Sequence, residues 1–185
     1  MKIVSVIGSP RKQGNCVAIV GKICEAAVKN GHEVSTFYLY DQVVNPCIAC
    51  EACTDRKVDL CIHNDDFNKI AGEIIGADAI ILASPIYMGH VTGPVKTFLD
   101  RFYTFAEEHF SIRHIEGKRF ITVTTSGAPA EHYSSVTDYL KYWLGEFFKM
   151  TYSGSIIAGD LMEQGEAKER QDLMDQAESL GSSLL

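Results

Sequence analysis

Residues 3–16 read IVSVIGSPRKQGNC, and this stretch decides the fold. Ile3–Ile7 is a short, nearly continuous apolar run rich in β-branched residues, as expected of a central strand covered on both faces. Gly8-Ser9-Pro10-Arg11-Lys12-Gln13-Gly14-Asn15 breaks that run. Val17, Val20, Cys24 and Ala27 then recur on one face of a helix, which stops at Asn30-Gly31. A buried strand, a polar glycine-bearing turn and a helix together open a βαβ unit.

The alternation continues outward from there. Glu33–Tyr38 reads as the second strand, and Asp65-Asp66 opens a helix running to about Gly76. Ala79–Ser84 is the third strand, ended by Pro85, with Ile86–Gly93 expected as a loop. A helix is expected from about Pro94 to Tyr103, a fourth strand over Arg119–Thr125 and a helix over Val136–Phe148. Thr151–Ala158 is the fifth strand, and Glu166–Leu185 a closing helix. Five strands with helices between them predict an α/β, flavodoxin-like three-layer sandwich with a five-stranded parallel sheet of order 2-1-3-4-5. A single domain over 1–185 is expected, with a cysteine-rich loop inserted at about 41–64. Ligands of such sheets sit beyond the carboxyl ends of the strands, which points to the loops after strands one, three and four.

Composition narrows the class. In 185 residues, 46% are apolar and 22% charged, which excludes whole-chain disorder. Apolar runs such as Ala79–Ala83 are far shorter than the ~20 residues of a membrane span. The N-terminal apolar stretch runs straight into Pro10, Arg11 and Lys12, unlike a secretory signal, so a cytoplasmic location and no membrane partner are expected. A net charge of −7 without a basic run disfavours nucleic-acid binding.

The first loop brings backbone N–H groups to a helix N-terminus, a ready anion site. Ser9 offers a hydroxyl, Asn15 an amide and Arg11 a fork for phosphate oxygens. It is neither a Walker A loop, since Asn15 stands where Lys is required, nor a G-x-G-x-x-G turn. In the second loop, Pro85 fixes the turn and Gly89 permits close backbone approach. His90 there reads as a solvated side chain. Ser126 and the Gly127 backbone are candidate donors in the third loop. Glu131, His132 and Tyr133 follow, either gating the site or simply exposed. Asp100-Arg101 reads as a structural ion pair near a helix end. Phe102, Tyr103, Phe105 and Phe110 form a dense aromatic stretch suited to an interface, a cofactor cover or core packing.

GSPRKQGN after the first strand, SPIYMGHVTGPVKTFLDR after the third and TTSGAP after the fourth resemble the NAD(P)H-dependent FMN reductase family of the flavodoxin-like superfamily. The resemblance implies an FMN-binding oxidoreductase that moves electrons from NAD(P)H through FMN to a small acceptor such as a flavin or quinone. The alternative is an iron–sulfur flavoprotein that carries electrons between protein partners. A flavin-binding sensor is a third reading. By the resemblance, Ser9, Arg11, Gly14, Asn15 and Cys16 hold the FMN phosphate, and Pro85, Ile86, Tyr87 and Met88 line the flavin. The family usually carries Thr or Ser where this chain has Cys16. No catalytic acid or base is implied, because the cofactor does the chemistry. A homodimer or homotetramer is implied as well.

Cys47, Cys50, Cys53 and Cys61 follow the pattern C-x2-C-x2-C-x7-C. That spacing is closer to 4Fe-4S ligation than to paired zinc knuckles, and it resembles the compact motif of the iron–sulfur flavoproteins. Cysteine count leaves a cluster, zinc and metal-free thiols all open. His63 lies near the last cysteine and reads as an exposed loop histidine.

Overall fold

The computed structural model describes residues 1–184, without the side chain of Phe110. In chain order the strands are β1 (Lys2–Ile7), β2 (Glu33–Tyr38), β3 (Ala79–Tyr87), β4 (His90–Val91), β5 (Arg119–Thr125) and β6 (Thr151–Ala158). The helices are α1 (Asn15–Lys29), α2 (Asp66–Ile75), α3 (Gly93–Asp100), α4 (Ser134–Lys141) and α5 (Gln171–Ser182). Five strands form a parallel sheet in the order β2-β1-β3-β5-β6, the order expected once the short extra strand is counted.

β1 lies inside the sheet between β2 and β3, with Ile3 between Val34 and Ala79 and Val6 between Phe37 and Leu82. Successive side chains of a strand point to opposite faces. Ile3 and Ile7 therefore pack in one core with Ile19 and Ile23 of α1 and Leu173 of α5. Val4 and Val6 join the other, with Phe67 and Ile70 of α2, Phe98 of α3 and Leu140 of α4. Both faces are covered, which is why β1 reads as continuously apolar instead of alternating. Among the described residues no helix is long and apolar enough to cross a membrane.

Four expectations need correction. The segment after Ser84 is not a loop. β3 continues to Tyr87 and turns back through β4, pairing Tyr87 with His90 and Ile86 with Val91. Met88 and Gly89 form its two-residue turn with φ of 49° and 79°, the left-handed pair that fits the twist of a hairpin. The helix after Pro94 ends at Asp100 and tightens into 3-10 turns over Arg101–Phe105. The helix expected over Val136–Phe148 divides into α4 and a π-helical turn, Tyr142–Phe147. The closing helix starts at Gln171, after a separate 3-10 turn at Glu166–Glu169, and Leu185 lies outside the described residues.

Core packing explains most of the aromatic stretch. Phe102 and Phe105 are fully buried and meet edge-to-face at 5.2 Å, while Tyr103 is partly exposed. Phe110, the fourth member, has its side chain outside the described part.

Candidate functional site

Three loops meet at the carboxyl edge of β1, β3 and β5. Gly8 ends β1 by donating to the Ala83 carbonyl (2.8 Å), and its own carbonyl accepts the Thr92 hydroxyl (2.9 Å). The Thr92 N–H donates to Ser84 Oγ (3.0 Å), so one buried threonine stitches the first loop to the second. A Cβ on Gly8 would stand 1.9 Å from Val95 Cγ2, so only glycine lets the chain pass this close to α3. Ser9 is buried, and its hydroxyl accepts the Arg11 N–H (3.2 Å), shaping the turn.

Gly14 caps α1 without a side-chain bond, and the Ala18 N–H bonds back to the Gly14 carbonyl (3.0 Å). The N–H groups of Asn15, Cys16 and Val17 precede the first intrahelical bond, and they stand at the positive end of the helix dipole. The Arg11 side chain is exposed beside them. The Cys16 thiol belongs to the core instead. It is buried, and burial pushes it up to about 12. Cys16 thus offers the site its backbone N–H and not a thiolate.

One cleft gathers Ser9, Arg11, Gly14, Asn15 and Cys16 with Pro85, Ile86 and Tyr87 at the end of β3 and Ser126 and Gly127 after β5. Thr125 completes the third loop's share. Met88 and Gly89 are not on the cleft wall. Met88 stands fully exposed at the hairpin tip, and no atom lies within 4 Å of a Cβ built on Gly89, so that glycine serves the turn. His90 does not stand free in solvent but rests edge-on against the Tyr139 ring at 4.8 Å. The donors of Ser126 are spent on the turn: its N–H on the Ala158 carbonyl (2.9 Å) and its hydroxyl on the Ala128 carbonyl (2.8 Å). Glu131, His132 and Tyr133 lie in a 3-10 turn off the cleft wall.

Two lining residues lay outside the sequence reading, Leu161 and Gln164. They follow β6 in an irregular segment that no motif marks. Thr92 was missed too, although a Thr before Gly93-Pro94 is a recognisable helix start.

The cleft fits a flavin mononucleotide in kind. An uncapped helix N-terminus beside an exposed arginine suits a phosphate dianion. Pro85, Ile86 and Tyr87 present the mostly apolar surface that a flat ring needs.

The cysteine loop, residues 42–65, carries no helix or strand. Side chains hold it. Asp65 caps α2 by accepting the Phe67 N–H (3.2 Å), takes the Asn45 N–H (2.8 Å) and receives both Arg101 terminal nitrogens (2.9 and 3.2 Å). Arg101 also donates to the Asn45 carbonyl (2.8 Å), and both charged side chains are buried. Burial pushes the Asp65 carboxyl up, but the bonds from Arg101 and Asn45 outweigh it and hold the group at about 2. The expected Asp100–Arg101 pairing is thereby corrected. Asp100 pairs with Lys96 one turn back, because neighbouring helical residues point in different directions.

Further along, Thr104 Oγ1 donates to the Leu60 carbonyl (2.6 Å). Asn68 takes the Cys61 N–H (3.1 Å) and donates to the Cys61 and His63 carbonyls (2.8 and 3.1 Å). Arg113 ties the Cys53 carbonyl (3.1 Å) to the Thr104 carbonyl (2.8 Å). Ala49, Glu51 and Arg56 adopt left-handed backbone with φ of 50°, 57° and 54°. Cys47 and Cys50 are exposed, Cys53 and Cys61 partly buried, and all four are free thiols. Burial, with a smaller contribution from the neighbouring Cys61 and Cys47, pushes the Cys53 thiol up. His63 does not simply face solvent, since its Nε2 is buried without a partner. Four thiols suit an iron–sulfur group in kind but not in placement: among the described residues no three Cys, His, Asp or Glu side chains converge on one point.

The parallel sheet, with its loops crowded at the carboxyl edge, defines a flavodoxin-like α/β protein. The chain belongs to the NADPH-dependent FMN reductase family, whose sequence model matches residues 1–161. That membership makes it an NAD(P)H-dependent flavin oxidoreductase. It is similar to an iron-sulfur flavoprotein of Methanosarcina thermophila, 32% identical over 161 residues that cover 86% of this chain and 78% of the relative. An iron-sulfur flavoprotein of Archaeoglobus fulgidus is 29% identical over 143 residues, 77% of this chain and 64% of that protein. The fold superposes on the NAD(P)H:quinone oxidoreductase of Methanothermobacter marburgensis with a TM-score of 0.79, at 17% identity, covering 100% of this chain and 99% of the other.

Proposed function

We propose that the cleft binds FMN and that the chain passes electrons from NAD(P)H to a small acceptor, a flavin, a quinone or a similar molecule. One observation carries this reading: the uncapped end of α1, with Arg11 beside it, opens into the same cleft as Pro85, Ile86 and Tyr87. Bound FMN would supply the hydride and electron chemistry. The chain's part is positional. Arg11 and the N–H groups of Asn15 and Cys16 neutralise the phosphate. Pro85 and Ile86 would hold the ring, with the exposed Tyr87 beside them. The Gly127 N–H, on the cleft wall, would be available to the polar rim of a bound ring. The uncovered side admits the nicotinamide and then the acceptor in turn, so no protein acid or base is required.

Assembly as a homodimer or homotetramer is part of the reading. Tyr103, Tyr142 and Trp143 are exposed beside an apolar groove formed with Leu99, Tyr139 and Phe148. A second reading, an electron carrier of the iron–sulfur flavoprotein type, is favoured by the four-thiol loop and by the names of the relatives. In it protein partners replace the small acceptor, and Cys47, Cys50, Cys53 and Cys61 would have to be drawn together to hold a cluster.

An anaerobic visible spectrum of the purified protein with FMN, before and after NADPH and then NADH, tests both. Direct bleaching with quinone-dependent turnover is expected. Protein that retains no FMN overturns the cleft assignment. Bound FMN that neither nucleotide bleaches, with iron and sulfide present in the protein, replaces the enzyme with the carrier.

A further inference from the structure

We propose that residues 162–167 form a fourth wall of the FMN cleft, in which Gln164 bonds the ribityl-phosphate arm and Asn15 is the positioning residue that fastens the wall. This rests on the assignment of FMN to the cleft, and it lies beyond residue 161, where the family match ends.

The resemblance gives Asn15 the phosphate. Its amide is engaged elsewhere: Nδ2 donates to the Glu163 carbonyl (2.9 Å) and Oδ1 accepts the Ala167 N–H (3.0 Å). The clasp takes the oxygen and one of the two N–H donors of this amide and so fixes its orientation toward residues 163–167. Its two contacts close a short arch. Within the arch the Glu163 N–H donates to Glu166 Oε2 (3.0 Å), and Gly165 takes the left-handed φ of 86°. Ala167 is fully buried and anchors the far end.

The near end is sewn to the third loop. The Leu161 N–H donates to the Ser126 carbonyl (3.0 Å), and the Asp160 N–H to the Ala128 carbonyl (3.1 Å). Met162 Sδ stands 3.1 Å from where a Gly127 Cβ would be, so this glycine leaves room for the arch. The arch thus joins the loop carrying Arg11 to the loop carrying Gly127. Gln164 sits on it, exposed, lining the cleft and making no side-chain hydrogen bond among the described residues. Two amide donors and an acceptor held at the mouth of a phosphate cleft match the hydroxyl and phosphate oxygens of a ribityl-phosphate arm.

The test is an FMN titration of the apoprotein in four forms: wild type, Asn15→Ala, Gln164→Ala and the double variant. Gln164→Ala removes an exposed side chain with no hydrogen-bond partner among the described residues, so its fold is secure. Each single variant should weaken FMN about tenfold, the loss of one good hydrogen bond. The double variant should bind no worse than Gln164→Ala alone, because Asn15 acts through the arch. Hydrogen exchange of the apoprotein should show faster exchange at the Ala167 amide in Asn15→Ala. Independent losses that multiply in the double variant would make Asn15 a direct ligand and overturn the proposal. A silent Gln164→Ala would also overturn it. A wild-type protein that takes no FMN defeats the cleft assignment itself, a result distinct from either.

Discussion

The two irregular regions of this molecule are held in opposite ways. The cleft loops are short and inherit their positions from strand ends, through backbone bonds such as Gly8 to Ala83 and Ser126 to Ala158. The cysteine loop is long and is held by side chains that reach 36 residues from Arg101 to Asp65, 44 from Thr104 to Leu60 and 60 from Arg113 to Cys53. A region fixed mainly by backbone depends on few side chains, here Thr92 and Asn15, and resists added atoms. A region fixed by side chains does the reverse.

Asp65→Asn should break the contrast hardest. It leaves the buried Arg101 guanidinium without its counter-charge, at a cost of about 3–5 kcal/mol in chemical denaturation. A loss below about 1 kcal/mol would mean that the loop does not depend on this pair. The sign with pH follows from the depressed carboxyl. Its contribution is complete above the unfolded value of about 4 and is lost as pH falls toward 2. Wild type should lose stability in that window, and Asp65→Asn should lose less.

On the backbone-held side, Gly8→Ala should cost about 1–3 kcal/mol, because the new methyl collides with Val95. It should weaken FMN while leaving the alkylation pattern of the cysteine loop unchanged. If the cysteines change reactivity as well, the two regions are one mechanical unit. The smallest effect sharpens the comparison without altering the fold. In wild type at pH 8, iodoacetamide should modify the exposed Cys47 and Cys50 first. It should spare Cys16 and Cys24, whose thiols burial raises to about 12 and about 11. Early modification of Cys16, read by peptide mass, would place that thiol in the cleft after all.

What the sequence made legible follows the same division. The β1 strand, the glycine turn and α1 could be read because each rests on local chemistry: apolar runs, turn residues, helical periodicity. Pro85 ended the third strand on paper, yet β3 runs through it: Pro85 still pairs with Thr125 of β5, while β1 has already ended opposite Ala83 and leaves that side of the strand free. The hairpin hid in Met88-Gly89, a left-handed turn in which Met occupies a place usually filled by Asn or Gly. Arg101 was read against its neighbour Asp100, since no local pattern announces a partner 36 residues away. Gln164 and Leu161 left no signal at all, because their place at the cleft is set by how the chain returns after β6.

The clasp at Asn15 also bears on the order in which the protein is built. Its partners lie 148 and 152 residues further along the chain. Synthesis proceeds from the N-terminus, so the first loop waits, incomplete, until residue 167 has emerged. Contacts this distant in sequence close late, after the strands between them have paired. A pocket formed earlier on the ribosome would lack the wall proposed above, and tight capture of the cofactor would wait for residues 163–167.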